Sequence, residues 1–157
     1  MDEVALLKAS DREDLFRATA AQRGLTSQII EKDFWVCWAL RRVFTLPTRQ
    51  GGILFKGGTS LSKAFGLIER FSEDVDLSLD RSALGFGGAN DPLVAPTGKK
   101  KKHGREALVL ECQRVIREEL HPELIEAFTA SLKAPPSSEW GLELAAGDDG
   151  QTLLFRY

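Results

Sequence analysis

The chain has 157 residues, 43% of them hydrophobic and 28% charged, with a formal net charge of −2 and a pI of about 5.8. That is one domain's length with enough apolar residues for a core, which excludes wholesale disorder. It also excludes the global basic field of many nucleic-acid binders, while leaving a local basic surface open.

The first 46 residues read as helix. "DREDLFRATAAQRG" offers Ser10 or Asp11 as a cap, acids in the first turn and Gly24 as a stop. A stronger helix follows from about Thr26 to Phe44, where Ile30, Phe34, Cys37, Trp38 and Leu40 form one broad apolar face and Pro47 ends the run. Residues 51–80 carry the most punctuation. "GGILFKGG" reads as a short buried strand, Ile53 to Lys56, between two glycine pairs. "TSLSKAF" has the hydroxyl-led start of a helix, and "DVDLSLD", Asp74 to Asp80, alternates acid and apolar residues with strand periodicity.

Residues 85–104 are rich in Gly, Pro and Lys and read as a loop that ends in the basic run "KKKKHGR". Helices are expected over 105–133, one from about Arg105 to Leu120 and another begun by Pro122. Residues 140–157 read as a hairpin, two apolar strands around "GDDG". The order implies a single mixed α/β (α+β) domain, a small mixed sheet flanked by helices. The last strand runs to Tyr157 without a polar tail, and the chain is read as the N-terminal part of a longer protein.

Cys37 and Cys112 lie far apart in apolar helical patterns and make neither a disulfide framework nor a zinc signature. The N-terminus "MDEVALLKAS" is acidic where a signal peptide is basic, and the longest apolar run, Phe34 to Leu40, is far below membrane-spanning length. A cytoplasmic protein with no membrane partner is the default reading.

Chemistry concentrates in "FKGGTSLSKAFGLIERFSEDVDLSL", residues 55–79. Gly57 and Gly58 stand where a strand ends and a helix begins, so the backbone can turn sharply and let a ligand approach. The helix start at Thr59 to Leu61 offers unpaired N–H groups to an anion, and the hydroxyls of Thr59 and Ser60 can add donors. Lys63, one turn in, supplies charge or is simply solvated. This is not a Walker loop, since GxxxxGK[ST] is absent. On a strand, Asp74 and Asp76 present two carboxylates to one side, and two such charges close together call for a cation unless both face solvent. Mg²⁺ with a substrate's phosphates fits that pair. Arg70 and Ser72, just upstream, can orient a triphosphate or brace the turn.

This stretch, with the upstream "IIEKDFWVCWALRRVF", resembles the nucleotidyltransferase-fold toxins of the AbiEii/AbiGii type, closely over residues 28–80 and more loosely to the end. The resemblance implies a nucleotidyltransferase fold and Mg²⁺-dependent (or Mn²⁺-dependent) transfer of a nucleoside monophosphate from an NTP to an acceptor, which is tRNA for some members. It further implies the toxin role in a toxin–antitoxin pair, hence an antitoxin protein as partner. Carried over by position, Gly58, Thr59 and Ser60 contact phosphates, while Asp74 and Asp76 hold the metals. The fold's third carboxylate, on a later strand, has no clear counterpart here. Glu143 is a poor substitute, and the strand's natural place is past Tyr157. Two other readings stay open: a catalytically silent binding or regulatory module, and kinase-like phosphotransfer.

Elsewhere, Lys99 to Arg105 is the sole basic cluster, suited to a tRNA acceptor or to plain solvation. Glu31, Lys32 and Asp33 form a charged triplet that either pairs with the site or lies on a helix surface. His103 and His121 lack triad partners at telling spacing. Of Trp35, Trp38 and Trp140, two are expected in the core rather than stacking a base.

Overall fold

A computed structural model describes residues 1–49, 52–66, 74–147 and 149–157. The elements in chain order are α1 (Asp2–Ala5), α2 (Ala9–Arg23), α3 (Ser27–Thr45), β1 (Ile53–Lys56), α4 (Gly57–Lys63), β2 (Asp76–Leu79), α5 (Gly98–Val115), α6 (His121–Leu132), β3 (Gly141–Leu144) and β4 (Leu153–Arg156). Short 3-10 turns lie at Pro47–Arg49 and Gly88–Asn90, and a π-helical turn, Ile116–Leu120, joins α5 to α6.

Local chemistry sets most boundaries. Gly24 ends α2 in the left-handed conformation, φ 65°, which glycine adopts without strain. Thr26 caps α3 by accepting from the Ile29 amide at 3.3 Å. The start of α2 departs from expectation. It begins at Ala9 with Lys8 as its N-cap residue, and the Ser10 hydroxyl donates to Asp11 instead of capping. The two helices expected around Pro122 form one continuous run. Proline removes an amide donor and crowds the carbonyl four residues back, and here the preceding turn widens so that the His121 amide donates to Ile116 O, five residues back.

The largest departure is in the basic segment. Residues 98–104, expected to belong to a loop, are the first turns of α5, capped by Thr97, whose hydroxyl accepts from Lys100 N at 3.3 Å. Consecutive lysines disguise a helix start because sequence rules look for acids there; lysine itself is a good helix former.

Among the described residues, the expected single sheet is divided into two antiparallel two-stranded ladders, β1–β2 and β3–β4. In the first, Ile53 pairs with Leu79 and Lys56 with Asp76. Ile53, Leu77 and Leu79 face inward onto the core, while Leu54 and Lys56 point outward and are exposed, as period-two alternation requires.

The core forms where α3 and α6 meet the β3–β4 hairpin. Trp38 is fully buried, and its ring centroid lies 4.9 Å from Phe128 and 5.9 Å from Phe155. All three tryptophans are buried, one more than expected. Arg42 is buried with them. Its guanidinium lies 4.1 Å over the Trp38 ring, donates to Trp38 O and Ser131 Oγ, and pairs with Asp2. These partners make its burial tolerable and tie α1 to the core.

Candidate active site

β1 runs directly into α4, so both glycines of the pair fall in the first turn of α4 rather than before it. Gly57 has φ +72°, in the left-handed region, and a Cβ built on it would lie 2.9 Å from Asp76 Cγ and 3.1 Å from Asp76 Cβ. Both constraints demand glycine at this point. Around Gly58 nothing lies within 4 Å of a built Cβ, so its backbone is open to approach.

Asp76 opens β2, with Lys56 directly across the ladder. Side chains of directly opposed residues share a face, so a lysine that sequence reading passed over stands beside the second aspartate. Its neighbourhood to Asp76 comes from the register of β1 with β2, which no local spacing announces. Asp74 lies outside the strand, which starts two residues later than the alternation suggests. Its main chain is held all the same, because the buried Thr59 hydroxyl donates to Asp74 O at 2.6 Å. Ser60, also buried, donates to Gly57 O at 2.8 Å. The two hydroxyl protons thus brace the turn internally.

The first turn of α4 therefore touches both aspartates, one through a glycine–carboxylate contact and the other through a side chain to main chain hydrogen bond. Both residues are exposed, and among the described residues neither carboxylate has an ion-pair or hydrogen-bond partner. Two unpartnered carboxylates two residues apart, backed by an open glycine turn, make a donor set that suits a hard divalent cation with phosphate oxygens as further ligands. No group of three or more His, Cys, Asp or Glu side chains is gathered for a metal among the described residues.

Other expected site residues sit differently. Lys63, at the far end of α4, pairs with Asp33 of α3, which gives the charged triplet one structural partner. Burial pushes its ammonium pKa down. Arg70 and Ser72 fall outside the described residues. Glu143 is on the hairpin ladder, with Arg156 Nη2 at 4.0 Å. His121 Nε2 lies 2.8 Å from Leu142 O, fixing α6 to β3. In the basic cluster, Lys102 reaches Glu106 at 3.9 Å; Lys99, Lys100, His103 and Arg105 are exposed.

A family model described as "Nucleotidyl transferase AbiEii toxin, Type IV TA system" matches residues 38–157. The chain belongs to the AbiEii family. The matched segment starts within α3 and contains the α4 turn and both aspartates. The fold is accordingly an α+β domain of the nucleotidyltransferase type, and the family is one of nucleotidyl transferase toxins of type IV toxin–antitoxin systems. Comparison with curated proteins and with solved structures gave no match. Among the described residues no helix is long and apolar enough to cross a membrane.

Proposed function

We propose that this AbiEii-family chain is a cytoplasmic nucleotidyltransferase that moves a nucleoside monophosphate from an NTP to an acceptor, as the toxin opposed by an antitoxin protein. The observation that carries this reading is the seating of Asp76 against Gly57 together with the tether from Thr59 to Asp74. It joins the two halves of the sequence signature at one place.

In this reading Asp74 and Asp76 hold Mg²⁺ or Mn²⁺, which supplies charge neutralisation at a transferring phosphorus when bound. The open backbone at Gly58 lets phosphate oxygens approach the amides of the first turn of α4. Thr59 and Ser60 serve by fixing that turn, their hydroxyl protons being engaged within it. Lys56 replaces Lys63 as the nearby cation, since Lys63 is engaged by Asp33 at the opposite end of α4. The acceptor is an RNA such as tRNA, drawn to the cationic first turns of α5 by a sequence-independent attraction.

Calorimetric titration with each NTP, with and without Mg²⁺, tests the site first. Asp76→Asn should abolish Mg²⁺-dependent binding and lower transfer at least about a hundredfold, with the fold intact by circular dichroism. Undiminished transfer in that variant would sink the proposal. Mg²⁺-dependent binding without transfer to any acceptor would favour the silent binding module.

A further inference from the structure

On the side of α4 away from Gly57, a cleft of about 950 Å³ opens between α1, α2, α3 and the end of α4. Its walls are apolar, built largely from Leu15, Phe16, Leu25, Ile29, Ile30 and Phe34. Its charged lining groups are Asp33, Lys63, Arg23 and the α-ammonium of Met1. Asp33 and Lys63 neutralise each other, whereas Arg23, exposed in the last turn of α2, has no ion-pair or hydrogen-bond partner among the described residues. The lining therefore keeps a net positive charge, on Arg23 and on the Met1 ammonium, beside a greasy wall. Size and lining both fall within the range of small-molecule sites, mostly apolar with few polar groups.

Every lining residue except Ser62 and Lys63 precedes Trp38, where the family match begins. The cleft is thus built mainly by the helices that precede the matched segment, and shares no lining residue with the aspartate site. We propose that it binds a medium-chain monocarboxylate, with the alkyl tail along the α2–α3 wall and the carboxylate on the Arg23 guanidinium. Charge complementarity selects this occupant. A cationic amphiphile would meet Arg23 as a like charge and find Asp33 already paired, and a neutral one would leave Arg23 unused.

The test is titration of the full chain with decanoate below the concentration at which it self-associates, with decylammonium and decanol as comparators. Saturable decanoate binding is expected, tighter than that of either comparator. Arg23→Glu should weaken it at least about tenfold, equivalent to about 1.4 kcal/mol. Arg23→Gln, which removes the charge without reversing it, keeps the test open should the reversal disturb α2. Absence of saturable decanoate binding to the wild type would overturn the proposal. So would equal affinity for decylammonium, or unchanged affinity in folded Arg23 variants.

Discussion

The aromatic core between α3, α6 and the hairpin, and the junction of α4 with β2, are built on opposite terms. In the core, large rings pack on one another, Phe128 only 2% exposed and edge-on to Phe155 at 5.0 Å, with Trp38 stacked on Phe155. Its unpartnered buried side-chain polar atoms, among the described residues, are the indole nitrogens of Trp35 and Trp38. At the junction two exposed carboxylates have no partner among the described residues, beside a left-handed glycine and two small hydroxyl residues buried to hold the turn. The core gains stability from area, which tolerates chemical variety provided shape is kept. The junction uses hydrogen bonds and a missing side chain to hold two acidic residues in place, which yields little stability and is the pattern expected of a binding site rather than of a structural frame.

The sharpest way to break this comparison is to exchange the two outcomes. Phe128→Ala should cost about 3–5 kcal/mol, as truncation of a buried ring does, lowering the melting temperature by roughly 10 °C for a chain of this size. Below the shifted transition its Mg²⁺-dependent nucleotide binding should persist. Asp76→Asn should do the reverse, leaving the melting temperature unchanged or slightly raised while binding is lost. If both variants lost stability together, the aspartate site would be part of the structural frame and the contrast would fail.

A smaller effect is expected at the contact between the two halves of the signature. Gly57→Ala forces a side chain into the left-handed region, at a cost of about 1–2 kcal/mol, and drives its Cβ into the Asp76 carboxylate. Thermal melts should show the strain, and Mg²⁺-dependent binding should fall as well because Asp76 must move. Gly58→Ala is the internal control. A Cβ there meets nothing within 4 Å, so stability should change little, and any loss of nucleotide binding would report crowding of the approach path. Equal stability of the two variants would mean that the close seating of Asp76 on Gly57 does not persist in solution.

Much of this was legible in sequence because it rests on local rules. The strand Ile53 to Lys56, the stop at Gly24, the helix start near Thr26 and the hairpin follow from turn residues and periodicity, and the proximity of the glycine turn to the aspartates follows from pairing two short strands. What was not legible depends on tertiary context. The salt link of Lys63 to Asp33 joins residues 30 apart, with no spacing rule to announce it. Asp74 looks like strand by alternation, yet its carbonyl accepts from Thr59 and the ladder begins only at Asp76. The basic run reads as loop because its charges oppose the helix dipole, and the bonds and packing of an 18-residue helix outweigh that opposition.

The smallest expected effect concerns a carboxylate that does have a cation. On α5, Arg114 donates to both oxygens of Glu111, at 3.0 and 2.7 Å, and also reaches Glu118 and Glu119 across the π turn at 3.4 and 2.8 Å. The hydrogen bonds from Arg114 hold the Glu111 carboxyl below its usual range and in turn raise the guanidinium, chiefly through Glu111 and Glu119. Because the folded value lies below the unfolded one, this contribution is present in full above the unfolded carboxylate range, about pH 4.3. It is lost as pH falls through the folded value. The pair is solvent-exposed, so the effect is small and screened by salt. Glu111→Gln should lower the melting temperature slightly at neutral pH, and the gap to wild type should close in acid. Added Mg²⁺ should leave that gap untouched while raising the melting temperature of the wild type but not of Asp76→Asn, since a cation can stabilise only carboxylates that the fold has left without one.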